Sequence, residues 1–124
     1  MMRPQWMQAF YWSGAGVLAV ASPAYAHAFL ERASPPVGSE ITASPPEVSI
    51  IFTEGVEPLF SKIEVDGADG AEVATGKPHV APDNNRRLIV DLPKLPPGTY
   101  TVIWHATSVD THKTEGSFKF TVTH

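Results

Sequence analysis

Cysteine is absent from this 124-residue sequence, and that absence alone removes several classes of chemistry. Disulfide scaffolds, thiol redox centres, cysteine proteases and cysteine zinc sites are excluded. Basic residues are scarce: nine Lys and Arg stand against thirteen Asp and Glu, a net charge of -4. Phosphate recognition needs clustered Lys and Arg, which argues against nucleic acid as a partner. No apolar run reaches the ~20 residues that a membrane-spanning helix requires. Helical periodicity never lasts beyond a turn or two, and twelve prolines argue against a helical bundle, because proline breaks helix interiors. No catalytic Ser/His/Asp set, phosphate loop or paired-carboxylate site can be picked out. What is left is a small, acidic, all-β chain of a length suited to one domain, which typically takes ~100–200 residues.

The first 26 residues differ in character from the rest. Arg3 is their only charge, an apolar stretch follows from Phe10 to Ala21, and the segment closes on Ala24-Tyr25-Ala26. A basic start, a short apolar run and a small-x-small end form the pattern of a secretory signal peptide, which predicts export to the periplasm and cleavage after Ala26. All three methionines (Met1, Met2, Met7) lie in this segment, together with Trp6 and Trp12. The predicted domain, residues 27–124, therefore starts at His27 and contains neither methionine nor cysteine. A chain of that size buries roughly 60% of its unfolded surface, enough for one modest core.

Within 27–124, short alternating runs are separated by proline and glycine punctuation. Val48, Ile50 and Phe52 share one face at period two, as do Leu88, Val90 and Leu92, then Tyr100, Val102, Trp104 and Ala106, then Phe118, Phe120 and Val122. Weaker strand candidates lie at 28–33, 60–66 and 71–75. Turn chemistry recurs at Ser34–Gly38, Ser44–Pro46, Glu57-Pro58, Asp66–Gly70, Ala81–Asn85 and Pro96–Gly98. About seven short strands at this spacing predict a Greek-key β-sandwich. Residues 67–85 read as a long mobile loop, with His79 in it facing solvent, and Arg86-Arg87 as a solvated turn.

A histidine at the start of the processed chain is a distinctive metal donor, because its free α-amine and its imidazole Nδ1 close a six-membered chelate on one ion. Near the other end, between two confident strands, lies Ser108-Val109-Asp110-Thr111-His112. In extended chain, residues two apart leave the same side with backbones ~6.6 Å apart, so Asp110 and His112 can converge. His27, Asp110 and His112 would together offer an amine, two imidazoles and a carboxylate. Four N/O donors without sulfur suit a tetragonal Cu(II) ion. A D-x-H triplet is common, however, and its plainer reading is a loop aspartate capping a turn.

The sequence resembles the CopC-type family of periplasmic copper-binding, copper-resistance proteins. The resemblance lies in HAFLERASPPVGSEI from His27, in FTEGVEP (Phe52–Pro58), and in PPGTYTVIWHATSVDTHKTEGSFKFTV (Pro96–Val122), which carries the family's G-x-Y-x-V-x-W and S-x-D-x-H-x-x-x-G-x-x-x-F pattern. It implies a cupredoxin-like or immunoglobulin-like Greek-key sandwich or barrel and a cupric site made by His27, Asp110 and His112. Relatives with a second, cuprous site carry a methionine-rich loop. The corresponding stretch here, Val65–Asp83, has no methionine, so the expectation is a Cu(II)-only, monomeric carrier or buffer with no enzymatic activity. The resemblance further implies a separate inner-membrane transporter of the CopD type as partner. Glu54 falls where some members place an acidic residue near the metal, but reads as a strand-end carboxylate in water. His105 reads as an exposed strand residue, His124 as a solvent-facing one, and Trp104 as core. Thr111 replaces a glycine found in many members and reads as compatible with an extended turn. Two rival functions remain: a histidine-brace copper mono-oxygenase-like enzyme, and a metal-free β-sandwich interaction module.

Overall fold

The computed structural model describes residues 28–124. Among the described residues eight strands follow one another: β1 (Leu30–Ser34), β2 (Glu40–Ile41), β3 (Glu47–Phe52), β4 (Lys62–Asp66), β5 (Thr75–Ala81), β6 (Asn84–Asp91), β7 (Gly98–Thr107) and β8 (Lys113–Val122), with a 3-10 turn at Pro58–Phe60 before β4. They form two four-stranded sheets, in the orders β1-β3-β6-β5 and β2-β8-β7-β4. The pairings are antiparallel except for β2 with β8. Of the two forms that the resemblance allowed, the open sandwich is the one observed, with two separate sheets rather than a closed barrel.

The alternating residues explain the packing. Val48, Ile50 and Phe52 of β3 and Leu88 and Val90 of β6 face Tyr100, Val102, Trp104 and Ala106 of β7 and Phe118, Phe120 and Val122 of β8, all of them buried. Removing each such large side chain from water contributes about 1.5–3 kcal/mol. Phe52 meets Trp104 edge-on, with ring centres 5.1 Å apart, and so ties one sheet to the other. Tyr100 stacks on Phe120 at 5.5 Å and donates its hydroxyl to the Pro96 carbonyl at 2.5 Å. Gly116 stands in register with Trp104, and a Cβ there would lie 2.6 Å from the indole Cζ2. Only a residue without a side chain lets β8 pass the indole at this height.

The four strongly alternating strands are where the pattern puts them, but about half of the stretch read as a mobile loop is strand. Residues 75–81 form β5, and Ala81 pairs with Asn84 across a two-residue Pro82-Asp83 turn. His79 consequently sits in a strand opposite Ile89. The stretch hides its character because it contains Gly76, at φ 76°, and Pro78. Both are tolerated on an edge strand with bulges, where a missing N–H costs little. The weak candidate at 71–75 reduces to one bridge between Asp66 and Glu72 and the first residue of β5, Thr75. Arg86 and Arg87 belong to β6 rather than to a turn, and Arg87 forms an ion pair with Glu47 of β3 at 3.0 Å. The two-residue β2 is too short to leave a periodic trace in the sequence.

Candidate metal centre

Asp110 and His112 lie in the short loop that joins β7 to β8, at one end of the sandwich. The loop is not extended. Thr111 N–H donates to the Ser108 carbonyl at 2.8 Å and Ser108 N–H donates to the His112 carbonyl at 2.9 Å, which closes a tight turn. Thr111 takes a left-handed backbone with φ 74°, correcting the expectation of an extended turn. The turn is anchored to the β3–β4 connection, since Ser108 bridges to Val56 and Val109 N–H donates to the Gly55 carbonyl at 3.0 Å. Asp110 Oδ1 and His112 Nδ1 end up 3.2 Å apart, with both side chains about half exposed. Turn geometry, not strand alternation, makes them converge.

Ser108 is the residue whose part in this arrangement went unread. It is buried, at 1% exposure. Its hydroxyl donates to Asp110 Oδ1 and accepts from the His112 backbone N–H at 3.2 Å. The hydrogen bond from Ser108, followed by the His112 contacts, holds the Asp110 carboxyl below its usual range despite some opposing desolvation. A serine two residues before an aspartate and four before a histidine, at the end of an apolar strand, was the available signal.

His27 lies outside the described residues. Its covalent neighbour Ala28 is fully buried, and the Ala28 carbonyl accepts a hydrogen bond from the Thr114 hydroxyl at the start of β8. Phe29 N–H donates to Thr53 Oγ1 at 3.0 Å, and Thr53 N–H returns a bond to the Phe29 carbonyl at 2.8 Å. The chain at Ala28 is therefore fixed beside a residue two positions from His112. Glu54 occupies the bend next to Gly55 and adds no third donor to the pair, since among the described residues no three His, Cys, Asp or Glu side chains converge in a way that could hold a metal ion. His105 is exposed on β7, with Nδ1 3.3 Å from Glu115 Oε1, and takes no part in the loop. Trp104 is buried, as its alternation indicates.

The model of the CopC domain matches residues 30–123. The chain belongs to the CopC family. Among curated proteins of similar sequence, Protein YobA of Escherichia coli K12 is 39% identical over 99 residues, covering 79% of this chain and 80% of that protein. Copper resistance protein C of Escherichia coli is 35% identical over 117 residues, covering 89% of this chain and 92% of that one. Among solved structures, CopC from Methylosinus trichosporium OB3b superposes with a TM-score of 0.74 at 37% identity, over 78% of this chain and 94% of that one. PcoC, described as a methionine-rich copper resistance protein from Escherichia coli, superposes with a TM-score of 0.67 at 28% identity, over 77% and 98%. This CopC chain has no methionine beyond Met7, in contrast to the methionine-rich PcoC.

Proposed function

We propose that this CopC-family protein binds one Cu(II) ion in the periplasm and acts as a copper carrier or buffer in copper resistance and homeostasis. The observation that carries the reading is the Asp110–His112 pair, preassembled at 3.2 Å next to the point where Ala28 is pinned. Two side chains are too few to hold copper tightly. His27 would complete the set with its α-amine and imidazole, provided the leader is cut after Ala26. Supporting this reading, Ala28, to which His27 is joined, is held at Thr114, two residues after His112. The names of the relatives support copper as the metal.

The oxidation state follows from donor chemistry. Amine, imidazole and carboxylate are N/O donors suited to Cu(II), whereas Cu(I) selects thiolate and thioether sulfur, which residues 27–124 lack. The same lack of a thiolate disfavours electron transfer of the blue-copper kind. A loop site at the open end of a sandwich, with half-exposed side chains, suits uptake and hand-over better than enclosed catalysis, so the protein is read as a monomeric carrier and not an enzyme. Hand-over would go to a separate membrane transporter of the CopD type.

Native mass spectrometry of the protein purified from the periplasm, before and after one equivalent of Cu(II), tests the reading. The expected mass is that of residues 27–124, rising by one tightly held copper. Cleavage elsewhere would remove the amine chelate, and correct cleavage without copper uptake would overturn the function while leaving the fold intact.

A further inference from the structure

We propose that Ser108 is a positioning residue of the copper site: its one hydroxyl sets both the Asp110 carboxylate and the His112 backbone before metal arrives. The inference rests on the copper reading above and deepens it. Asp110 and His112 lie in a turn with side chains 47% and 52% exposed, where side chains keep most of their rotamer freedom unless something holds them. Ser108 is the buried member of that turn, fixed from below by its bridge to Val56. A serine hydroxyl has one proton and two acceptor lone pairs. Here the proton goes to Asp110 Oδ1 and a lone pair receives the His112 N–H, while the His112 carbonyl, also 3.2 Å from the hydroxyl, is already bonded by Ser108 N–H. One buried oxygen thus reaches the side chain of one donor residue and the main chain of the other. The Asp110 carboxylate cannot swing away, nor the His112 main chain shift, without breaking a bond to it, and the oriented carboxylate in turn faces the His112 imidazole Nδ1 at 3.2 Å. Groups that orient metal ligands in this way typically cost 10–100-fold in metal affinity when removed.

The test measures Cu(II) affinity by competition with a chelator, the paramagnetic resonance spectrum of the one-copper protein, and the metal-free melting temperature. It compares wild type with Ser108→Ala, and Ser108→Thr with Ser108→Val. The last two have the same shape and differ only in the hydroxyl, so their comparison holds even if Ser108→Ala folds poorly. His112→Ala is the control for the site itself. The expected result is a 10–100-fold loss of affinity and an altered copper spectrum in Ser108→Ala and Ser108→Val, with Ser108→Thr close to wild type. A purely structural serine would lower the melting temperature but leave affinity and spectrum unchanged. That outcome, in a protein whose copper binding is lost in His112→Ala, overturns the inference alone. A wild type that takes up no Cu(II), or a His112→Ala variant that binds as tightly as wild type, overturns the copper reading and the role of Ser108 with it.

Discussion

Thr111 holds a backbone conformation that a β-branched residue rarely adopts, with φ 74° between the two donor residues of the turn. Such a conformation costs of order 1–3 kcal/mol for a residue with a side chain. Glycine adopts it freely but gains entropy in the unfolded chain, which offsets part of the benefit. Thr111→Gly should therefore stabilise the metal-free protein by up to about 1 kcal/mol, a melting-temperature rise of several degrees that calorimetry would register. A second single-residue case is Asp66 at the end of β4, whose buried Oδ1 has no hydrogen-bond partner. Burial first, then a hydrogen bond to Glu64 and the charges of Glu64 and Glu72, push its carboxyl above the usual range. A raised folded-state pKa stabilises the protein below the unfolded-state value, and that stabilisation is lost as pH rises through the folded-state value. At neutral pH the charged form is a burden, so Asp66→Asn should melt higher than wild type there, and the gap should close as the pH falls into the carboxylate range. Equal melting curves at every pH would show that the carboxyl is well solvated. The D-x-H spacing, taken with the family resemblance, singled out Asp110 and His112 as candidate donors. It could not announce Ser108 or the strain at Thr111, which exist only once the turn has closed.

At the scale of strands, legibility followed burial. β3, β6, β7 and β8 bury the apolar residues of one face, within 48–52, 88–90, 100–106 and 118–122, and a period of two shows in them. The edge strand β5 buries little beyond Ala81, so nothing in its composition had to alternate. The first half of β8, Lys113 to Gly116, is likewise polar, and it is strand because β7 supplies its hydrogen-bond partners. The pairing of these two strands turns on Gly116 beneath Trp104. Gly116→Ala would force the indole or β8 to move, and over-packing of this kind costs about 1–3 kcal/mol. The expected outcome is a melting temperature lower by several degrees, with a shift in the emission of Trp104, the one tryptophan after residue 26. An unchanged spectrum at unchanged stability would mean that the sheet absorbs the methyl group elsewhere.

For the molecule as a whole, the fold class was legible from alternation and punctuation, while the choice of an open sandwich over a barrel was not, because it depends on which strand edges meet. The proposed copper site draws on both extremes of the domain, and its donors bind metal only when deprotonated, an α-amine having a reference pKa of ~7.7–8.0. Copper(II) affinity should therefore fall steeply as the pH is lowered from about 8 to about 5, and an affinity that ignores pH over this range would sink the chelate at His27. The Thr114–Ala28 hydrogen bond joins residues 86 positions apart. Contacts of such long range form only after a large loop has been closed, late in folding. A chain truncated before β8, or still emerging during export, lacks the docking point for Ala28, so the complete donor set cannot exist in it. In the proposed copper reading, full-strength metal capture would thereby depend on a finished chain, with β8 in place to hold Ala28, and a fragment would compete for copper only weakly.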